Sequence, residues 1–203
     1  MFIAFEGLDG SGQTTQVEKL GAWFRQRGSS VVLTKEPTEE SPFAALIRQV
    51  IRRKDIKLMP LTLQCLFIED RRWHLKTVIE PALKEGKIVI TDRYMFSTLA
   101  YGYAEALSIA VLKNMQADLP QPYLTFWLDV DSDVCSDRIA KRAGSDGDTR
   151  DYFERLSKLQ AAQRGYRIIW RNHRPEGLHR IGGNRSEQEV FKEVLAIVQN
   201  GKF

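Results

Sequence analysis

The run Glu6-Gly7-Leu8-Asp9-Gly10-Ser11-Gly12-Gln13-Thr14-Thr15 follows a short apolar stretch, Met1 to Phe5. Glycines at 7, 10 and 12 let a backbone turn tightly and approach a ligand with no Cβ in the way. The N–H groups of such a loop point inward, and a helix start behind it adds partial positive charge. Together they cradle phosphate oxygens. The phosphate-loop pattern G-x-x-x-x-G-K-[ST] is met at Gly7, Gly12 and Thr14, while its lysine position holds Gln13. The donor nucleotide is therefore expected along Gly7, Leu8, Asp9, Gly10, Ser11, Gly12, Gln13, Thr14 and Thr15. The Thr14 hydroxyl is placed for a metal ion that bridges phosphates. Asp92, an acid at the end of a second apolar run, can hold metal-bound water beside it. Arg93 follows at once and offers a planar fork of donors for phosphate. Phe67 and Arg71 lie four residues apart, on one face of a helix. Lys141, Arg142 and Arg150 flank a polar, glycine-bearing loop at about 143–150. Cations on a closing loop stabilise charge that develops during transfer.

These residues need a scaffold, and the chain supplies one by alternation. Val17, Leu20 and Phe24 recur at helical spacing after the loop, with Gly28 as a stop. Strands are expected at about 2–5, 31–33, 87–92, 123–129 and 177–181. Ser41 and Pro42 predict a helix start, running to about Arg53. Pro60 opens a long helix to about Glu85, which Pro81 should kink. Further helices are expected over about 96–116, 131–142 and 151–170. Ser186-Glu187-Gln188-Glu189 reads as a capping box before the last one. Strand-helix alternation of this kind predicts an α/β protein with a parallel sheet covered on both faces, whose ligands sit at the carboxyl ends of the strands.

Composition limits the partners. A chain of 203 residues without repeats or linkers predicts one domain, 1–203. Apolar residues make up 43% and charged ones 28%, which suits an ordinary globular protein, and no run reaches membrane-span length. The first strand begins at residue 2, so no signal peptide is expected. Cys65 and Cys135 fit no metal spacing and read as reduced thiols, so the expected location is cytoplasmic. The net charge of +4 is spread along the chain, which suits phosphorylated small molecules and argues against nucleic acid and membrane partners. His74, His173 and His179 are scattered and predict no histidine chemistry.

Several motifs in register carry a resemblance. Glu6 to Gly12, Lys35-Glu36-Pro37, Phe67 with Arg71, Asp92-Arg93-Tyr94 and Ser97-Thr98-Leu99-Ala100-Tyr101 are similar, in order and spacing, to the thymidylate kinase family. The resemblance implies a P-loop kinase fold with a five-stranded parallel sheet, ATP and Mg²⁺ as cofactors, dTMP as acceptor and a homodimer. It implies that Asp9 sits near the acceptor, that Phe67 stacks on the base and that Arg71 bonds its edge. Glu36, Pro37, Arg48, Arg93, Thr98 and Tyr101 complete the acceptor site, Tyr101 under the deoxyribose. Thr14 and Asp92 are the expected metal residues. Three departures stand out: Gln13 at the lysine position, Gly102 where bacterial relatives usually carry a base-reading glutamine, and Thr38-Glu39-Glu40 after Pro37 in place of a glycine-glycine-threonine. The leading expectation is a thymidylate kinase. The alternatives are a weak or inactive nucleotide-binding homologue and a kinase for another deoxynucleoside monophosphate.

Overall fold

Phe2–Gly7 forms β1, and all six residues are buried. It is the middle strand of a five-stranded sheet that includes β2 (Val31–Lys35), β3 (Ile88–Asp92), β4 (Leu124–Asp129) and β5 (Leu178–Gly182), in the order β2-β3-β1-β4-β5. Every pairing is parallel, with Phe5 opposite Asp92 on one side and Phe126 on the other. This is the expected P-loop kinase architecture. The computed structural model describes residues 1–52, 58–143, 152–172 and 176–201.

Side chains of β1 alternate between the two faces, as strand geometry requires. Ile3 and Phe5 pack with α1 (Gln13–Arg25), through Val17, Leu20 and Phe24, and with α9 (Glu187–Asn200), through Val190, Val194 and Val198. Phe2 and Ala4 face the other way and pack with Leu75, Ile79 and Tyr94. Both faces are therefore apolar, and the strand is a nearly continuous hydrophobic run because neither face meets water. The Ser186 capping box at the start of α9 is present, with Ser186 Oγ and the Glu189 carboxylate each satisfying the other's backbone N–H.

Between these strands run α2 (Ala44–Arg52), α3 (Pro60–His74), α4 (Glu80–Lys84), α5 (Met95–Ala104), α6 (Ile109–Asn114), α7 (Ser132–Ala143) and α8 (Leu156–Asn172). Two expected helices are divided. The long one from Pro60 contains a π-helical turn, Leu75–Ile79, immediately before Pro81. Proline has no N–H for the preceding turn, and the ladder widens there instead of bending sharply. The expected helix over 96–116 breaks after Ala104, where Ala106 adopts φ 63° and Ser108 caps α6. The helix closes there with Leu107 N–H on the Gly102 carbonyl and Ala106 N–H on the Tyr103 carbonyl, and alanine in the left-handed position, where glycine is usual, leaves no composition signal. The predicted start at Asp151 lies outside the described residues; a 3₁₀ turn, Tyr152–Glu154, precedes α8.

The helices α5 and α8 cross closely beside β1, because Gly165 lies against the backbone of Ala100. A Cβ on Gly165 would stand 2.8 Å from the Ala100 carbonyl oxygen and 2.9 Å from its Cα. This crossing holds Tyr166 of α8 against the start of the phosphate loop. Gly165→Ala should therefore destabilise the fold by about 1–3 kcal/mol through overpacking. Thermal unfolding measures it, and a Tm equal to wild type would show that the crossing tolerates a wider spacing.

Candidate active site

The carboxyl ends of β1, β2 and β3 open into a cavity of about 790 Å³. The phosphate loop forms one wall. Gly10 has φ 81°, and a Cβ there would stand 2.7 Å from the Cys135 carbonyl, so only glycine fits. Gly12, also at positive φ, is the N-cap of α1, which directs the free N–H groups of that helix at the loop. Asp9, Gly10, Gly12, Gln13, Thr14 and Thr15 line the cavity. Gly7 lies behind them, Leu8 is buried in the core, and Ser11 is buried with its hydroxyl bonded to Gln13.

Gln13 is buried at 5% exposure, and its amide serves the loop itself. With the amide oriented to satisfy its surroundings, Nε2 donates to the Leu8 carbonyl at 3.1 Å and to Ser11 Oγ at 3.2 Å, and Oε1 accepts from Gly7 N–H at 3.1 Å. These bonds commit the Gln13 amide to the loop backbone and to Ser11. Lysine could not accept from Gly7, so these bonds belong to the amide.

Beside the loop, Thr14 Oγ1 donates to Asp92 Oδ2 at 2.6 Å. A hydroxyl and a carboxylate thus meet at the end of the sheet, a hard-oxygen set that suits Mg²⁺. Arg93 has φ 79°, a conformation that a non-glycine residue holds only when its surroundings impose it. What imposes it is a bond set: the Arg93 N–H donates to Phe5 O at 2.8 Å, Nη1 donates to Gly7 O at 3.0 Å and to Ser97 Oγ at 3.1 Å, and Nη2 donates to Asp9 Oδ1 at 2.7 Å. The hydroxyl of Tyr101 donates to Asp9 Oδ2 at 2.7 Å and accepts from the Asp9 N–H at 3.0 Å. Burial acts to raise the Asp9 carboxyl, but the Arg93 charge and the Tyr101 hydroxyl outweigh it and hold the group below its ordinary range. Burial and the facing Asp9 carboxylate push the Tyr101 hydroxyl well up, so it stays a donor.

On the opposite wall stands α3. Phe67 is half-buried, 6.4 Å from the Phe153 ring. Arg71 is 2% exposed. Its Nε donates to Glu36 Oε2 at 2.7 Å, Nη1 to Thr98 Oγ1 and Gln116 Oε1, and Nη2 to Tyr94 O at 2.8 Å. These account for four of the five N–H groups of a guanidinium. Glu36 also bonds His74 Nδ1 at 3.0 Å, and His74 Nε2 meets Thr34 Oγ1 at 2.6 Å. Glu36 is therefore the partner that orients Arg71. Pro37, Arg48 and Thr98 line the same cavity, with Arg48 donating to the Glu39 carbonyl. Of the cations expected on the closing loop, Arg142 lines the cavity and pairs with Glu154 at 2.6 Å, whereas Lys141 is exposed away from it. Arg150 and the loop at 144–150 lie outside the described residues.

Sequence reasoning missed four positions. Arg138 of α7 donates to the Gly10 carbonyl at 3.4 Å and lines the cavity. Asp70 binds Thr38 N–H, Thr38 Oγ1 and Ser41 Oγ, fixing the segment after Pro37. Glu6 and Gln64 are buried, and both bear on the site. The one available signal was spacing: Gln64, Phe67 and Arg71 share a helix face.

Comparison with known proteins converges on one family. The family model described as thymidylate kinase matches residues 5–194. The chain is 35% identical over 203 residues to a probable thymidylate kinase of Pyrococcus horikoshii, covering 98% of this chain and 96% of that protein. It is 33% identical to a thymidylate kinase of Bacillus pumilus, covering 98% and 95%, and 34% identical to one of Acinetobacter baumannii, covering 96% and 98%.

The lowered Asp9 pKa has a sign. The folded value lies below the unfolded one, about 3.9, so the Arg93 pairing contributes stability above that pH and loses it as pH falls further. Asp9→Asn should lose less stability than wild type between about pH 6 and about pH 3. Urea midpoints at the two pH values test this, and parallel losses in both proteins would contradict the pairing.

Proposed function

The chain belongs to the thymidylate kinase family, and from that premise we propose that it transfers the γ-phosphoryl group of ATP to dTMP, giving dTDP and ADP. It is a nucleoside monophosphate kinase, a phosphotransferase. One observation carries the reading: a single cavity joins the phosphate loop to the Phe67–Arg71 face, with the Asp9–Arg93 pair between them. Donor phosphates and an acceptor base can therefore occupy one chamber with the acceptor phosphate in the middle.

In this reading an oxygen of the dTMP phosphate attacks the γ-phosphorus, and the bond from that phosphorus to the β-bridging oxygen breaks. The protein's contribution is position and charge. The loop amides and the start of α1 hold the β- and γ-phosphates. Arg93, tied to Gly7 of the donor loop and to Asp9, directs its guanidinium at the point between the two nucleotides. Lys35 and Arg48 flank the acceptor monophosphate, and Arg142 exchanges Glu154 for phosphate when the site closes. Phe67 stacks on the base, Arg71 bonds its edge, and Tyr101 supports the deoxyribose. Thr14 and Asp92 would hold Mg²⁺, which when bound neutralises charge on the phosphate oxygens. A homodimer belongs to the same proposal; exposed Leu46, Met59 and Leu61 on and before α2 and α3 offer apolar surface for a second copy. No helix among the described residues is long and apolar enough to cross a membrane.

Gln13 favours a second reading, a nucleotide-binding homologue with slow turnover, because its amide is committed to Leu8, Ser11 and Gly7 and brings no cation to the phosphates. Loss of one preorganised donor costs about 10²–10³ in rate in other enzymes. Arg93, Arg138 and Arg142 remain in the cavity wall and compensate in part. We expect ADP release with ATP, Mg²⁺ and dTMP, and a rise in kcat of about ten-fold or less in Gln13→Lys, well short of the full ~10²–10³. Phe67→Ala should raise the KM for dTMP about 10- to 100-fold and leave that for ATP unchanged. A wild type without turnover that Gln13→Lys restores would establish the second reading. Unchanged dTMP use in Phe67→Ala would move the base elsewhere.

A further inference from the structure

Among the described residues, buried side-chain polar atoms without a hydrogen-bond partner belong to two glutamines. Gln16 lacks one partner only, since its Nε2 donates to the Glu187 carbonyl. Gln64 lacks both: Nε2 and Oε1 are each unpartnered, and the residue is fully buried. An amide in that state destabilises the fold, and native interiors rarely retain one without a reason. Gln64 forms part of the wall of the catalytic cavity. On α3 it precedes Phe67 by three residues, and Arg71 follows Phe67 by four, so the three share one face with the aromatic ring in the middle.

The neighbouring helix contributes no competing polar side chain at position 102. A Cβ built on Gly102 of α5 would stand 3.5 Å from Gln64 Cγ and 2.3 Å from Leu112 Cδ1. Leu112, fully buried, fills the space of a side chain at 102, so position 102 can present no polar group to the cavity. Among the described residues of this wall, the polar group with no hydrogen-bond partner is the Gln64 amide.

We propose that Gln64 is a specificity-determining residue that reads the acceptor base, pairing with the N3–H and an adjacent carbonyl of a thymine or uracil ring. This rests on the kinase reading above. The chemistry is complementary: the amide oxygen accepts from N3–H, and the amide N–H₂ donates to a ring carbonyl. Arg71, donor only, covers the other carbonyl with the N–H that its protein bonds leave over. Cytosine is rejected because its amino group would face the guanidinium, donor against donor.

The test pairs Gln64→Leu with an acceptor that carries a methyl group on N3. Wild type should phosphorylate dTMP and use N3-methyl-dTMP about 10- to 100-fold less efficiently, the scale of a paired base contact. Gln64→Leu should raise the KM for dTMP by a similar factor, leave the KM for ATP unchanged and use the two acceptors about equally. Its Tm should equal or exceed that of wild type, because a buried unpaired amide is removed; Gln64→Met, with a flexible chain of similar length, serves if leucine does not pack. Turnover of dTMP by wild type, with the same discrimination against the methylated acceptor in both variants, would overturn this inference and leave the kinase reading in place. A wild type that neither binds nor phosphorylates dTMP would overturn both.

Discussion

The carboxylate of Glu6 holds the site together. It is fully buried at the end of β1, one residue before the phosphate loop. Oε1 accepts from the N–H groups of Tyr94, Phe96 and Ser97 at 2.9–3.2 Å, and Oε2 accepts from Ser97 Oγ at 2.6 Å and Tyr166 Oη at 3.0 Å. Burial pushes the carboxyl up, and Ser97, Arg93, Arg71 and Tyr166 oppose the rise. Five donors suit the ionised form. A negative charge at the start of α5 also satisfies N–H groups that the helix leaves without partners. One side chain thereby ties the central strand to α5 and α8, and it fixes the turn in which Arg93 takes its unusual backbone conformation. Remove the anchor and the loop, the arginine and the helix carrying Tyr101 lose their common reference.

The wall that carries Phe67 and Arg71 has a matching device in two further carboxylates. Glu36 is divided between Arg71 and His74, and Asp70 holds Thr38 and Ser41. The segment after Pro37 is thus fixed from α3, the helix that also carries Phe67. This also explains how Glu39 and Glu40 coexist with an anionic acceptor. Thr38 takes the buried position, while the two glutamates stay exposed and can turn to solvent, where water screens their charge.

Much of this was legible in the sequence, because it is local. The strand-loop-helix start, the five strands, Pro60 at a helix start and the capping box each follow from neighbouring residues. So do Asp92 and Arg93, which end an apolar strand, and Phe67 with Arg71 on one helix face. What was hidden depends on partners far along the chain. Glu6 reads as the polar end of a strand, and its partners lie 88 to 160 residues away. Asp70 reads as a surface acid on an amphipathic helix until the segment after Pro37 folds over it. The split at Ala106 reflects a tertiary choice that apolar periodicity does not record.

Gln13 shows how a local substitution changes meaning once its contacts are known. Read as a motif, it is a missing charge. In the fold it is an amide with a donor and an acceptor, used together on Leu8, Ser11 and Gly7. An ammonium has donors only, so it would leave the Gly7 N–H to Tyr166 alone. The glutamine therefore ties Leu8, Ser11 and Gly7 together from within the loop. In the reading proposed above, developing charge on the transferring group calls for cations, and Gln13 brings none. In that reading the demand falls to arginines outside the loop. Arg93 is the one whose bonds, to Gly7 and Asp9, run to the same loop that Gln13 ties together.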